Sequence, residues 1–209
     1  NLMFILKESL PDLNGKIRFL HAVPGAPSVD IYADGTLLAS NCKFGELTDY
    51  IELASSNYSI EIYKAGTYDT ALFNSQLDVI PGTSNTISIA KNNNSLMLFS
   101  LKDAGAKAGQ DICFLRFIHI SPNSPLVTLS LRNGETLFNS VEYLETTGYY
   151  PLSPGIYDFK LSLSGASALN KTISNISLEA GQFQTIYLIG LLNSEPQLGF
   201  LLSKDGRQT

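Results

Sequence analysis

The residues best suited to chemistry in this sequence are its two histidines, His21 and His119, because imidazole titrates near neutral pH and binds metals. Each follows an Arg-Phe pair and precedes a Pro-x-x-Pro loop. A zinc site needs several converging ligands, and a general base needs a partner that orients it. Neither histidine has another histidine or a cysteine beside it. We therefore predict a structural role, with a ring nitrogen bonded to a backbone carbonyl of the proline loop.

The histidines belong to a segment that occurs twice in the chain. Residues 17–29 and 115–127 match at a spacing of 98 positions, the distance from Arg18 to Arg116. A fixed period of this length indicates two copies of one structural unit. The shared positions predict a structural motif: Arg18, Phe19, His21, Pro24 and Pro27 in the first copy, and Arg116, Phe117, His119, Pro122 and Pro125 in the second.

Charged residues near the motif offer little chemistry. Strand alternation places Arg18 and Arg116 on the face opposite the histidines, where an arginine is either paired or solvated. Asp30 could pair with Arg18, but Thr128 stands at the matching position of the second copy. Asp30 and Asp34 would lie about 13 Å apart on one strand face, too far for a single calcium ion. We therefore expect structural or solvated arginines and no metal site.

Known catalytic motifs are missing from the sequence. It contains no Gly-rich phosphate loop, no Gly-x-Ser-x-Gly elbow and no His-Glu-x-x-His pair. A serine hydrolase would need one of the two histidines, and both are tied to the repeated pattern. We therefore expect no catalytic residues, no cofactor-binding residues and no cofactor, and a protein that is not an enzyme.

The ten tyrosines are the main surface signal. Tyrosines on a strand face can stack on sugars or pack against another protein. Tyrosine is also an ordinary strand residue, and the absence of tryptophan weakens a carbohydrate interpretation. The candidate ligand surface consists of Tyr32, Tyr50, Tyr63, Tyr149 and Tyr150.

Composition limits the classes of partner. The net charge is −5 and Lys and Arg form no cluster, so the sequence does not favour binding to nucleic acid. No apolar run reaches the roughly 18 residues of a membrane span. No signal peptide is visible, since the apolar residues 2–6 form too short a core for one. Cys42 and Cys113 do not match each other in the two copies, which predicts two unpaired thiols rather than a disulfide.

The elements that carry these residues are short strands. Residues 17–21, 29–33 and 58–63 alternate apolar and polar positions, and Asp34-Gly35 and Asn133-Gly134 are hairpin turn signals. Further strands are predicted at residues 36–40, 47–53, 72–80, 84–90 and 96–101. This pattern indicates two tandem antiparallel β-sandwiches of about seven strands each, immunoglobulin-like or transthyretin-like. The predicted boundaries are a leader at 1–16, a first repeat at 17–103, a linker at 104–111, a second repeat at 112–205 and a tail at 206–209.

The motif also resembles a known family. Arg18, Phe19 and His21, then the two prolines, then Val29-Asp30-x-Tyr32-x-Asp34-Gly35 and Thr48-Asp49-Tyr50, are similar to the bacterial domain-of-unknown-function family 4397. The second copy matches more loosely, with Thr128, Ser130 and Gly148 in place of Asp30, Tyr32 and Asp49. The resemblance covers nearly the whole chain and implies a β-sandwich domain common in exported or envelope proteins. It carries over no activity and no site residues.

We therefore expect a non-enzymatic binding or structural module of a bacterial surface, envelope or exported layer. Its partner would be another protein or a cell-wall glycan. The alternative is a carbohydrate-binding module that uses strand-face tyrosines, and a glycan array separates the two.

Overall fold

The computed structural model describes residues 13–165 and 169–206 of the chain. These residues form strands, turns and loops, and none of them is helical. Contacts between residues divide the chain into two compact units, with the main boundary between Gly105 and Ala106. The expected all-β sandwich architecture is confirmed, and we call residues 13–105 the first domain and residues 106–206 the second domain.

The described residues of the first domain form eight strands in two four-stranded sheets. Its sheets have the strand orders β4-β1-β7-β8 and β3-β2-β5-β6. The strands are β1 (Asn14–His21), β2 (Val29–Ala33), β3 (Thr36–Cys42), β4 (Ile51–Ala54), β5 (Ser56–Lys64), β6 (Phe73–Val79), β7 (Ser84–Asn92) and β8 (Ser95–Lys102).

The second domain repeats this arrangement strand for strand. Its sheets have the orders β12-β9-β15-β16 and β11-β10-β13-β14. The strands are β9 (Cys113–His119), β10 (Val127–Leu131), β11 (Thr136–Val141), β12 (Tyr150–Leu152), β13 (Gly155–Leu163), β14 (Asn170–Leu178), β15 (Phe183–Ile189) and β16 (Gly199–Asp205).

Each domain contains one parallel strand pair within its otherwise antiparallel sheets. Strand β1 lies between β4, which is antiparallel to it, and β7, which is parallel to it. Strand β9 lies in the same way between β12 and β15. The parallel pairing has a direct consequence, because it places Arg18 beside Thr86 and Arg116 beside Thr185 on the outer face of the sheet.

The alternation predicted from the sequence holds in the core. In the second domain, Leu115 and Phe117 of β9 pack with Leu129 and Phe159 of the facing sheet, whereas Arg116 points the other way. The Asp34-Gly35 turn joins β2 to β3, and both of its residues have positive φ, 46° and 78°. A two-residue hairpin turn of this type needs such angles, which glycine and aspartate tolerate best.

Several boundaries differ from the sequence prediction. Strand β1 begins at Asn14, so residues 14–16 of the predicted leader belong to the sheet. Residues 1–12 of that leader lie outside the described part of the chain. The strand expected at 47–53 is shorter, because Leu47 forms only an isolated bridge with Leu20. Within the predicted linker, the N–H of Ala108 donates to the carbonyl of Gly181 at 3.1 Å. The predicted tail at 206–209 lies largely outside the described residues.

Candidate functional site

The two histidines are buried at the end of the first strand of each domain. His21 is 1% exposed and His119 is fully buried. The Nε2 atom of His21 lies 2.9 Å from the carbonyl oxygen of Pro27, and that of His119 lies 3.1 Å from the carbonyl oxygen of Pro125. This is the contact that the sequence predicts, so each ring closes the proline loop onto its own strand.

The environment of His119 fixes its tautomer. The backbone N–H of Ser121 donates to Nδ1 at 3.2 Å, so the proton sits on Nε2 and is donated to Pro125. Burial lowers the pKa of both His21 and His119, and the hydrogen bonds to the proline carbonyls oppose this only in part. A ring with both nitrogens occupied by its own backbone is poorly placed to act as a base or a ligand.

A second polar cluster lies on the outer face of the same sheet in the first domain. Arg18 Nε donates to Thr86 Oγ1 at 2.9 Å, and the Thr86 hydroxyl donates to Asp103 Oδ2 at 2.6 Å. The Tyr50 hydroxyl donates to the same carboxylate oxygen at 2.6 Å, and the Arg18 guanidinium lies 4.3 Å from the centre of the Tyr50 ring. Arg18 and Asp103 are each 3% exposed, so this is a buried, charged network.

The second domain contains the same network. Arg116 Nε donates to Thr185 Oγ1 at 3.0 Å, and Thr185 donates to Asp205 Oδ2. The Tyr149 hydroxyl donates to Asp205 at 2.8 Å, and the Arg116 guanidinium lies 4.6 Å from the Tyr149 ring centre. Asp103 directly follows β8, and Asp205 is the last residue of β16. Each network therefore connects the last strand of its domain to the first strand.

These networks decide between the alternatives that the sequence leaves open for the arginines. Both arginines are buried, in agreement with the structural alternative, and Arg18 forms an ion pair with Asp103 rather than with Asp30. Asp30 instead accepts hydrogen bonds from the backbone N–H groups of Asn41 and Gly66, at 2.7 and 2.8 Å. Asp205, the last residue of strand β16, is buried as well.

The five candidate tyrosines do not form one surface. Tyr50 and Tyr149 cover the arginines, and Tyr150 packs against Phe138 of the core at 6.3 Å between ring centres. Only Tyr32 and Tyr63 come together, with their ring centres 5.5 Å apart on the outer face of β2 and β5.

A third ring completes this pair, and no periodic pattern in the sequence indicates it. Tyr68, in the loop between β5 and β6, lies with its ring centre 4.7 Å from those of both Tyr32 and Tyr63. Tyr68 is 54% exposed, while Tyr63 beneath it is 7% exposed. The Tyr63 hydroxyl donates to the Glu61 carboxylate at 2.5 Å, and this bond raises the pKa of Tyr63 to about 12. We call Tyr32, Tyr63 and Tyr68 the tyrosine cluster.

The loop that carries Tyr68 is fixed at both ends. The N–H of Ala65 donates to the carbonyl of Ser28 at 2.9 Å, and the N–H of Gly66 donates to the Asp30 carboxylate. The N–H of Leu72 donates to the carbonyl of Ile62 at 2.7 Å. Asp30 therefore positions the exposed ring indirectly, by holding the start of its loop.

Comparison with protein families gives one match. The family model described as "Domain of unknown function (DUF4397)" matches residues 15–130 and 114–209. Together the two segments cover almost the whole chain. The chain belongs to the DUF4397 family. No curated protein matches the sequence.

The two DUF4397 segments share one set of features and differ in another. Both have the histidine contact and the arginine–aspartate network. The tyrosine cluster occurs in the first domain alone. Strand register places Ser130 and Ser162 of the second domain at the positions of Tyr32 and Tyr63, because β10 pairs with β13 as β2 pairs with β5.

Other reactive groups in this DUF4397 chain are isolated. Cys42 and Cys113 are both buried free thiols, which confirms that they do not form a disulfide. In the part of the chain that the structure describes, no three His, Cys, Asp or Glu side chains lie close enough to hold a metal ion. Over the same residues, no helix is long and apolar enough to cross a membrane.

Proposed function

We propose that this chain is a non-enzymatic binding module of a bacterial surface, envelope or exported protein layer, and that the tyrosine cluster of the first domain contacts a protein partner. The tandem DUF4397 segments supply the framework, and the cluster supplies the contact. The proposal rests on one observation: the first domain exposes Tyr68 over Tyr32 and Tyr63, whereas the positions of Tyr32 and Tyr63 carry serines in the second domain, which has the same fold.

This comparison within the chain argues against a purely architectural role for the cluster. The second domain builds the same two sheets with Ser130 and Ser162 at these positions, so the fold does not require tyrosines there. The features that both domains need, the histidine contact and the charged network, are present in both. A feature found in one copy alone is a better candidate for a contact specific to that copy.

The geometry of the cluster suits a protein contact. Tyrosines at the centre of an interface contribute large, rigid contact area at low entropic cost. Tyr63 is already packed under Tyr68 and bonded to Glu61, so little further ordering is needed on binding. Tyr68 presents its exposed ring at the top of this arrangement.

The second candidate function is carbohydrate binding, and the exposed ring of Tyr68 favours it. An exposed aromatic ring can stack on the apolar face of a sugar. The rings of Tyr32 and Tyr63 are both tilted relative to Tyr68, edge-on to each other and partly covered, so the three rings offer no extended flat platform. For this reason we place a protein partner first.

The test uses cell envelopes of the producing bacterium and the full-length chain. Labelled chain should sediment with envelopes, and Tyr68→Ala should lose most of this binding. Treating the envelopes with protease before the assay should remove binding if the partner is a protein. Binding that survives protease and reappears on a glycan array would support the carbohydrate alternative.

The control variant is Ile156→Ala, which removes an apolar side chain that is 75% exposed in the second domain. It should bind envelopes as the unmodified chain does, which excludes nonspecific adsorption of exposed apolar groups. Envelope binding by Tyr68→Ala at the unmodified level would overturn the assignment of the cluster as the contact.

A further inference from the structure

The second domain has an apolar cleft that the tyrosine cluster does not explain. It lies between β14 and β16, each the outermost strand of its described sheet. Its volume is about 320 Å³. The residues that line it are Leu161, Lys171, Thr172, Ile173, Leu188, Leu198, Gly199 and Phe200.

Lys171 is the one charged residue among these lining residues; it is exposed, and its strand position is on the inner side of the sheet. It pairs with Leu161, a core residue of β13, so its side chain shares the inner face of the sheet. Its Nζ donates to the carbonyl oxygen of Leu198 on the opposite side of the cleft, at 2.8 Å. An ammonium group has three donors, so two remain for a ligand.

The first domain has a different residue at this place. Ile62 and Leu161 are equivalent, because they pair in the same register with the equivalent strands β2 and β10. On the other side, Ile62 pairs with Phe73 and Leu161 pairs with Lys171. Phe73 is therefore the counterpart of Lys171. Phe73 is half-buried. The equivalent side chain in one domain is therefore a bulky apolar ring, and in the other a flexible chain that carries a cation.

The cleft combines aliphatic walls with a single cation at its rim. Its volume is near the lower end of the range for small-ligand sites, about 300–1,000 Å³, which suits a slender chain better than a ring system. A broader depression of about 540 Å³ shares Lys171 and Leu198 with it and is also lined by Glu195. Glu195 lines the broader depression and not the cleft, so Lys171 is the charged residue that lines the cleft itself.

We propose that this cleft binds a straight alkyl chain that ends in a carboxylate, as in a fatty acid, with the chain between the sheets and the carboxylate on Lys171. Aliphatic burial drives entry of the chain, and a charge-assisted hydrogen bond to the ammonium selects the anionic head group. The site is independent of the tyrosine cluster, which lies in the other domain.

An inward-facing lysine on an edge strand also hinders pairing with a strand of another molecule. That role alone would not produce ligand binding, so the two explanations can be separated by experiment. The probes are decanoate, below its micelle concentration, and the neutral analogue decan-1-ol. Calorimetric titration of the full-length chain should show saturable binding of decanoate at one site, and tighter binding than that of decanol.

Two variants locate the site and its selectivity. Lys171→Met keeps an apolar side chain of similar length, and it should weaken decanoate binding about tenfold or more while decanol binding changes little. Lys171→Phe copies the first domain and should abolish binding of both probes. Lys160→Met, a change of an exposed lysine on the neighbouring strand, should leave both affinities unchanged.

Methyl chemical shifts give a readout that needs no variant. On adding decanoate, the shifts of Leu161, Ile173 and Leu188 should move together, and methyl groups of the first domain should not. The proposal is overturned if the unmodified chain shows no saturable decanoate binding, if Lys171→Met binds decanoate as tightly as before, or if folded Lys171→Phe still binds it. Self-association of the lysine variants without decanoate binding by the unmodified chain would leave edge protection as the role of Lys171.

Discussion

Replacing His119 by alanine should destabilise the second domain by about 2–4 kcal/mol, because the ring satisfies two backbone groups. The N–H of Ser121 and the carbonyl of Pro125 lose their partner together. Ser121 is fully buried, so its N–H bears the full penalty of an unmade bond, about 1–3 kcal/mol. Pro125 is half-buried, and water can replace part of its lost bond. His119→Gln, which keeps a donor within reach of Pro125, should recover part of the loss.

The matching change His21→Ala should cost less, about 1–3 kcal/mol, because Pro27 is exposed and its freed carbonyl can be rehydrated. Urea denaturation of the full-length variants, followed by hydrogen exchange of each domain, measures both values. A change below about 0.5 kcal/mol at His119 would refute the argument that the ring holds the loop. A melting temperature of the unmodified chain that falls on adding a chelator would instead indicate a metal.

The same rings predict how stability depends on pH. Burial lowers the folded-state pKa of both histidines below the unfolded value of 6.5. The unfolded chain therefore binds protons first, so this contribution to stability is complete above pH 6.5 and declines as the pH falls toward the folded-state pKa. In the double alanine variant the decline between about pH 6.5 and 5 should be smaller, because carboxylates titrate mainly below that range.

Three further predictions follow from buried groups. Asp205→Ala should destabilise the second domain by about 3–5 kcal/mol in urea titrations, because it leaves the Arg116 guanidinium buried without its carboxylate; a loss below about 1 kcal/mol would show that water reaches the site. Both thiols should react with a disulfide reagent only after unfolding, since they are buried and burial raises the pKa of Cys42 to about 11; rapid reaction of the folded chain would contradict this. Gly190→Ala should cost more than about 2 kcal/mol, because φ is +89° and a Cβ would collide with backbone across the loop, whereas Gly134→Ala, at φ +95° with open space around it, should cost about 1 kcal/mol. Equal losses in thermal melts of these two variants would refute the collision argument.

Local patterns in the sequence were sufficient for the fold class and the histidine contact. Alternation in residues 29–33 and the Asp34-Gly35 turn depend on a few neighbouring residues, so they can be recognised without tertiary information. The proline loop likewise indicates nearby carbonyls for His21. The parallel placement of β1 beside β7 could not be recognised in this way, because it depends on which distant strand the first strand joins.

The arginine network shows why part of the site was missed. Asp103 and Asp205 each belong to a Lys-Asp pair at the end of the last strand of their domain, which is a repeated signal in the sequence. Their spacing is 102 positions, whereas the arginines are 98 apart, because the second copy is longer between the two points. A search for matches at a spacing of 98 positions therefore does not align the two aspartates. Polar residues at the end of a strand also resemble the start of a linker or a tail. Tyr68 carried no such signal, since its position over the sheet depends on the fold of its loop.

The two domains separate what the fold needs from what it permits. Four interacting side chains, an arginine, a threonine, a tyrosine and an aspartate, are kept in both, although a buried ion pair contributes little net stability over apolar residues of the same size. Their presence in both domains is better explained by strand order. The network connects the first strand of each domain to the last strand, so it helps to specify where the last strand lies. Outside that network, the same strand positions carry tyrosines in one domain and serines in the other, and an edge position carries Phe73 in one and Lys171 in the other. We place the two ligands at those positions, because the two domains have the same fold although they carry different residues there.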